Sequence, residues 1–327
     1  MLQIPVLASL LTLVNGVDPS TGSLRGALFF TDLPSKNLVR LDKCGSAGCS
    51  KPVTIATGLS TYGGVLPWND GLLAALNDHL VVQVDPWCQN SSCPVTPLVD
   101  AKRALGLGDN ESFSLGGIVR CHDSLYIVFG GKSASSGVLR CADCRLGHDC
   151  TQRCSLVDGG SKPGKGPDQL SGFAAGITCL GDHVLVTDNT NFRVQSIPVG
   201  CAHAPCEVST FASGLKWPLG IAAVGGGKRV LVTLDDGIVS FLPDGSMRVD
   251  HWSIRQDSGF LFEAEGQVFI ASGGDGNIVS VSPACEGPKC AEVIVWKSTG
   301  SWNSTKGGPY SASALAYMPY PLQVVIV

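Results

Sequence analysis

The sequence predicts an all-β protein, a six-bladed β-propeller with four-stranded antiparallel blades, its ring closed by strands from the two ends of the chain. Three observations predict it. A four-strand pattern recurs with a period of roughly 40–60 residues, as in architectures that repeat one supersecondary unit. No helical periodicity separates the copies, which suits sheets arranged radially around a channel. The 327 residues include 41 glycines and only 15% charged residues, a balance that favours short strands and tight turns over helices.

The best-formed copy spans residues 176–212. GITCL (176–180), VLVTD (184–188), FRVQSI (192–197) and EVSTFA (207–212) are β-rich runs, and the Asn-Thr-Asn turn suits a hairpin because Asn tolerates left-handed backbone. Further copies start at Gly64, Gly117, Gly220 and Gly259. The first blade, 27–32, 37–42 and 53–57, lacks an innermost strand, and SALAYM (313–318) supplies one from the other end of the chain. One split blade and five full ones make six. Residues 25–327 therefore read as a single propeller domain. LQVVIV (322–327) reads as an extra second strand: either it pairs elsewhere or the sequence is part of a longer chain. Left unpaired, such a strand is an aggregation hazard. Residues 101–114, 159–171 and 298–308 read as long loops between blades. The second of these, GGSKPGKG, lacks the ending and the strand–loop–helix setting of a phosphate loop.

VTDNTNFRVQSI resembles the NHL repeat, through Asp188, Asn191, Arg193, Val194 and Gln195. Asp32 with Asn37, and Asp275 with Asn277, carry weaker versions of the same pattern. The resemblance implies a propeller in which Asp188 is a structural turn residue. More distantly, the chain is similar to the six-bladed propellers of the gluconolactonase and paraoxonase type. That similarity implies a central Ca²⁺ acting as Lewis acid in ester or lactone hydrolysis.

The 14 cysteines fall at recurring places. Cys44 and Cys49, Cys88 and Cys93, Cys201 and Cys206, and Cys285 and Cys290 each flank the connection from third to fourth strand with four residues between. A hairpin brings such flanks within disulfide reach. The third blade carries Cys141, Cys144, Cys150 and Cys154 in that connection. These form either two disulfides or, with His148, a zinc site; the even count and the blade-by-blade repeat favour disulfides. Cys121 and Cys179 occupy equivalent places in neighbouring first strands, where they either bridge two blades or remain buried thiols.

Disulfide staples require an oxidising compartment. Residues 1–16 have signal-peptide length and hydrophobicity, although no Lys or Arg precedes the apolar stretch. Asn90, Asn110 and Asn303 lie in N-glycosylation sequons. These features predict a secreted or extracellular protein. A net charge of −4 gives no basic footprint for nucleic acid. After the N-terminus no apolar run is long enough to span a bilayer.

Propeller ligands sit at a channel mouth, on the connections from strand two to three and from strand four to the next blade. The two-to-three turns here carry Asp32, Asn77 and Asp78, Asp188 and Asn189, Asp235 and Asp236, and Asp275 and Asn277. Converging oxygens of this kind suit Ca²⁺, with Asp188, Asp235 and Asp275 as candidate ligands; tight turns also prefer these residues for their own sake. The six histidines do not converge in this layout, and no GxSxG elbow is present. Of the six tryptophans, Trp217 in GLKWPLG precedes a first strand and is the candidate contact residue, with Asp78 and Asn189 as further ligand-binding candidates. The expectation is a binding module for a protein, peptide or glycan, with a Ca²⁺-dependent lactone or ester hydrolase as the alternative.

Overall fold

A computed structural model describes residues 24–32, 35–44, 49–59, 64–76, 78–130, 136–160, 164, 166, 169–170, 174–252, 258–272, 277–283, 293–296 and 312–319. The expected leader (1–16), Asn77, Asp275, Cys285, Cys290, Asn303 and residues 322–327 lie outside them.

The described strands form six four-stranded antiparallel sheets. Blade 1 begins with β1 (Gly26–Asp32), β2 (Asn37–Leu41) and β3 (Val53–Thr57). Blade 2 holds β4 (Val65–Trp68), β5 (Gly71–Leu76), β6 (Leu80–Val84) and β7 (Val95–Asp100). Blade 3 holds β8 (Ser114–Cys121), β9 (Ser124–Gly130), β10 (Ser136–Ala142) and β11 (Cys154–Gly160). Blade 4 holds β12 (Ala174–Leu180), β13 (His183–Asp188), β14 (Arg193–Pro198) and β15 (Ser209–Ser213). Blade 5 holds β16 (Ile221–Val224), β17 (Arg229–Leu234), β18 (Gly237–Phe241) and β19 (Val249–Trp252). Blade 6 holds β20 (Ser258–Ala264), β21 (Gln267–Ser272), β22 (Ile278–Val281) and β23 (Val293–Trp296).

The last strand, β24 (Ala312–Pro319), returns to blade 1 and pairs antiparallel with β1, with Leu28 opposite Tyr317. The innermost strands β4, β8, β12, β16, β20 and β24 touch in sequence and close on themselves, which makes the molecule a ring. One expected loop begins differently: residues Ala101–Leu105 form a short helix, α1. The Asp100 carboxylate caps it by accepting from Arg103 N at 3.0 Å, and Gly106 ends it at φ 67°.

The apolar core lies between blades. Each hydrophobic cluster joins two neighbours: Phe29 and Leu72 across blades 1 and 2, Leu73 and Ile127 across 2 and 3, Val128 and Val186 across 3 and 4. Val194 and Val232, Leu231 and Ile270, and Phe269 and Leu28 continue the pattern around the ring. A propeller strand is therefore apolar on both faces. All six residues of β5, GLLAAL, are buried, so alternation is a poor guide to it.

The glycines that start the repeats have a steric reason. A Cβ on Gly64 would lie 2.6 Å from the Ile118 nitrogen, one on Gly220 2.6 Å from the Gly259 oxygen, and one on Gly176 against the Leu219 oxygen. Each is a point where one innermost strand passes the next too closely for any side chain.

The twelve described cysteines form Cys44–Cys49, Cys88–Cys93, Cys141–Cys154, Cys144–Cys150, Cys201–Cys206 and Cys121–Cys179. The third-blade cluster is thus two nested disulfides, and Cys121–Cys179 ties blade 3 to blade 4. The stapled loops are also latches on the preceding blade. Cys44 packs with Val295 of blade 6. The Arg40 guanidinium of blade 1 donates to the Pro86 and Cys88 carbonyls at 2.8 and 2.9 Å. Cys150 N donates to Leu98 O of blade 2 at 2.8 Å, and Ala204 N to Leu156 O of blade 3 at 2.7 Å. Among the described residues no helix is long and apolar enough to cross a membrane.

Candidate channel-mouth site

The antiparallel order puts the two-to-three turns and the blade-to-blade loops on one face of the ring. Among the described residues, blade 4 supplies the most elaborate turn there. A 3₁₀ turn, Asn189–Asn191, follows β13, and Phe192 closes it in the left-handed region at φ 58°. Asp188 Oδ2 accepts from Asn191 Nδ2 and from Arg193 Nε, both at 2.8 Å. Asn191 Nδ2 also donates to Gly164 O at 2.6 Å, and an Arg193 terminal nitrogen donates to Gly166 O and Gln169 O at 2.8 and 2.6 Å. The residues that resemble the NHL pattern therefore knit the turn and pin the loop entering blade 4. Asp188 is fully buried.

The loop from blade 4 to blade 5 is sewn onto this turn. Leu215 N donates to Phe192 O at 2.9 Å, and Leu219 N to Thr233 O at 3.0 Å. Asn189, also buried, donates from Nδ2 to Pro218 O at 3.2 Å. Trp217 stands between the buried anchors Leu215 and Pro218, with φ 50° and 46% of its surface exposed. Its indole meets the Phe192 ring edge-to-face at 6.1 Å, and Phe192 is 44% exposed. Bulky residues rarely adopt left-handed backbone, at a cost of about 1–2 kcal/mol each. Here the surrounding hydrogen bonds hold both aromatics in it and turn them outward.

Beside them, Lys216 Nζ lies 3.4 Å from Asp235 and 3.2 Å from Asp236. The hydrogen bond that Lys216 donates to Asp236, then the charge of that carboxylate, raise the lysine pKa above its ordinary value. Asp78 occupies the corresponding turn of blade 2 at φ 64°, two blades away from Asn189. The six innermost strands enclose a channel of about 330 Å³. Its wall is mostly apolar, with Ile118, Ile177, Ile221 and Phe260, and Glu263 is the sole carboxylate among its described lining residues. Glu263 Oε2 accepts from Gly225 N at 2.6 Å.

Of the three carboxylates expected to bind Ca²⁺, Asp188 is engaged by Arg193 and Asn191, Asp235 faces Lys216, and Asp275 lies outside the described residues. Ca²⁺ needs six to eight oxygens around one point. Among the described residues no group of three or more His, Cys, Asp or Glu is placed to share a cation.

The partnership of Phe192 with Trp217 escaped sequence reasoning, although the Asn-Thr-Asn turn that ends in Phe192 was visible. The two rings are 25 residues apart and belong to a turn and a loop that meet only in the folded ring.

Comparison with solved structures gives the same architecture. A chain in the crystal structure of a nidogen–laminin complex superposes with a TM-score of 0.62 at 8% identity, over 89% of this chain and 98% of that one. A gluconolactonase from Xanthomonas campestris gives 0.53 at 12% identity, over 84% and 81%. Regucalcin, a calcium-binding protein from Agrobacterium tumefaciens, gives 0.52 at 10% identity, over 79% and 80%. No protein-family model matches the sequence, and no curated protein matches it. Likeness at these identities defines the fold: the chain is a six-bladed β-propeller.

Proposed function

We propose that the chain is a secreted, NHL-like propeller that binds a protein partner through the mouth carrying Trp217 and Phe192. One observation carries the reading: two exposed aromatic rings in edge-to-face contact at 6.1 Å, each on left-handed backbone fixed by its neighbours. Aromatic anchors in a rigid setting dominate protein interfaces, because little freedom is lost when they bind. Lys216, Asp235 and Asp236 supply the polar rim that surrounds such anchors. Six disulfides and the sequons support an extracellular site of action, and the hydrophobic residues 1–16 serve as the leader.

The test compares immobilised wild-type and Trp217→Ala protein against the proteins of conditioned medium. Trp217 is exposed, so the variant keeps its unfolding temperature. The expected result is a partner whose affinity falls at least tenfold on the variant. Identical partners with unchanged affinities on both proteins would overturn the reading.

A further inference from the structure

On the opposite face of the ring one latch is missing. Where the third-to-fourth-strand loop carries a disulfide among the described residues, it lies against the preceding blade and fills the groove there. The third strand contributes a polar residue at one register position to meet it. Arg40, opposite Phe29, reaches the loop of blade 2. Gln83, opposite Leu73, accepts from Gly147 N of the blade 3 loop at 2.9 Å.

Blade 4 breaks the pattern. Ser196, opposite Leu185, holds the same register position. Blade 5, however, has a short cysteine-free turn in place of the stapled loop: Leu242 N donates to Ser246 O at 2.9 Å, and Asp244 Oδ1 accepts from Ser246 N at 2.9 Å. The groove left open between blades 4 and 5 has a volume of about 600 Å³. That is within the ~300–1,000 Å³ typical of small-molecule pockets.

We infer that this groove is a glycan-binding site. Its polar groups are hydroxyls, an imidazole and carboxylates. Ser196 Oγ lies 3.0 Å from His183 Nδ1, which fixes the imidazole of this exposed lining residue. Ser209 and Thr210 stand exposed on the edge strand β15, and Asp182 and Asp244 stand exposed at the rim. Phe211 and Pro243 add apolar wall against which the C–H face of a sugar ring can lie. Neither Lys nor Arg lines the groove, so an anionic ligand would meet no opposite charge. Closely spaced donors and acceptors without a cation, beside apolar surface, match a neutral polyhydroxylated ligand. Such a site rejects analogues that lack the hydroxyls, because its own polar groups would be left unpaired.

The test screens the intact protein on a panel of oligosaccharides ending in glucose, galactose, mannose or N-acetylglucosamine, with sialylated and sulfated members as the anionic arm. Bound members are titrated in solution by calorimetry against His183→Ala, Thr210→Ala and the groove-filling Thr210→Trp. Thr210 is exposed, so Thr210→Ala keeps the fold even if the bulkier variant does not. Ile294→Ala, exposed on blade 6, is the control. The expected result is a neutral oligosaccharide that binds, loses at least tenfold affinity in the His183 variant and in whichever Thr210 variants fold, and is unaffected in the control. The inference is overturned if no neutral member binds, if only anionic members bind, or if the groove variants stay within twofold of wild type.

Discussion

Thr187 and Leu219 are joined across the boundary between blades 4 and 5: the threonine hydroxyl donates to the leucine carbonyl at 2.7 Å. Thr187 Oγ1 also accepts from Gly176 N at 2.8 Å within its own blade. One blade further, Thr233 repeats the arrangement, accepting from Gly220 N at 2.7 Å and donating to Gly259 O at 2.9 Å. In blade 2 the corresponding residue is Ala75, and there Gly64 N bonds directly to Gly116 O at 2.8 Å.

Thr187→Val and Thr233→Val should each destabilise the protein by about 1–3 kcal/mol, since each strands buried backbone partners. Thr→Ser at either position should recover most of the loss. Urea midpoints of the four variants decide the matter. A valine variant as stable as wild type would mean that the blades are held by apolar packing alone.

Asp188 and Arg193 form a nearly buried ion pair at 2.8 Å. Removing either partner should cost about 3–5 kcal/mol, because the survivor keeps its charge away from water. The double variant Asp188→Asn, Arg193→Met should lose less than the sum of the singles. Limited proteolysis supplies a second readout: Arg193→Met frees the carbonyls of Gly166 and Gln169, so cleavage should rise between residues 164 and 170.

The disulfides are expected to differ in worth. Cys121 and Cys179 are 58 residues apart, whereas Cys44–Cys49, Cys88–Cys93 and Cys201–Cys206 close spans of 5. On the chain-entropy account the long closure contributes about 4 kcal/mol and a short one about 2. Paired Cys→Ala variants, compared by denaturant unfolding, should fall in that order, with Cys121/Cys179 the more damaging.

Asp149 sets part of the acid limit. The Thr151 hydroxyl, then its main-chain N–H at 2.9 Å, hold the carboxyl below its ordinary pKa, and Arg103 adds to the effect. A depressed folded pKa stabilises above the unfolded value of about 3.9 and is lost as pH falls through the folded value. Wild type should therefore exceed Asp149→Asn in stability at pH 6, and the gap should close below about pH 4. A gap of constant size down to pH 2 would locate the stabilisation elsewhere.

Calcium offers a direct contrast between the two functional readings. A ligand at one hundred times its dissociation constant raises stability by about 2.7 kcal/mol. With Asp188 and Asp235 engaged by cationic side chains, unfolding in Ca²⁺ and in EDTA should coincide. A clear Ca²⁺-dependent rise would reopen the hydrolase reading.

The ring was legible in the sequence because each blade repeats its own turn chemistry, and because SALAYM supplied the strand that blade 1 lacked. The glycines starting each copy were visible as punctuation, but the neighbouring strand that requires them was not. The pairing within Cys141, Cys144, Cys150 and Cys154 was open, since spacing alone allows several connectivities. Asp188 reads from sequence first as a turn residue and second as a metal ligand; what separates the two is Arg193, whose guanidinium reaches it only when β13 and β14 are paired. The groove beside His183 was invisible for a simpler reason: it is defined by a latch that blade 5 does not carry.

The pairing of β1 with β24 has a consequence in time. Residues 32 and 312 are separated by most of the chain, and synthesis proceeds at about 5–20 residues per second. Blade 1 must then wait roughly 15–60 s for its fourth strand, with the inner edge of β1 open to any strand that arrives first. A slowing of translation late in the message would lengthen that exposure without altering a single residue of the finished protein.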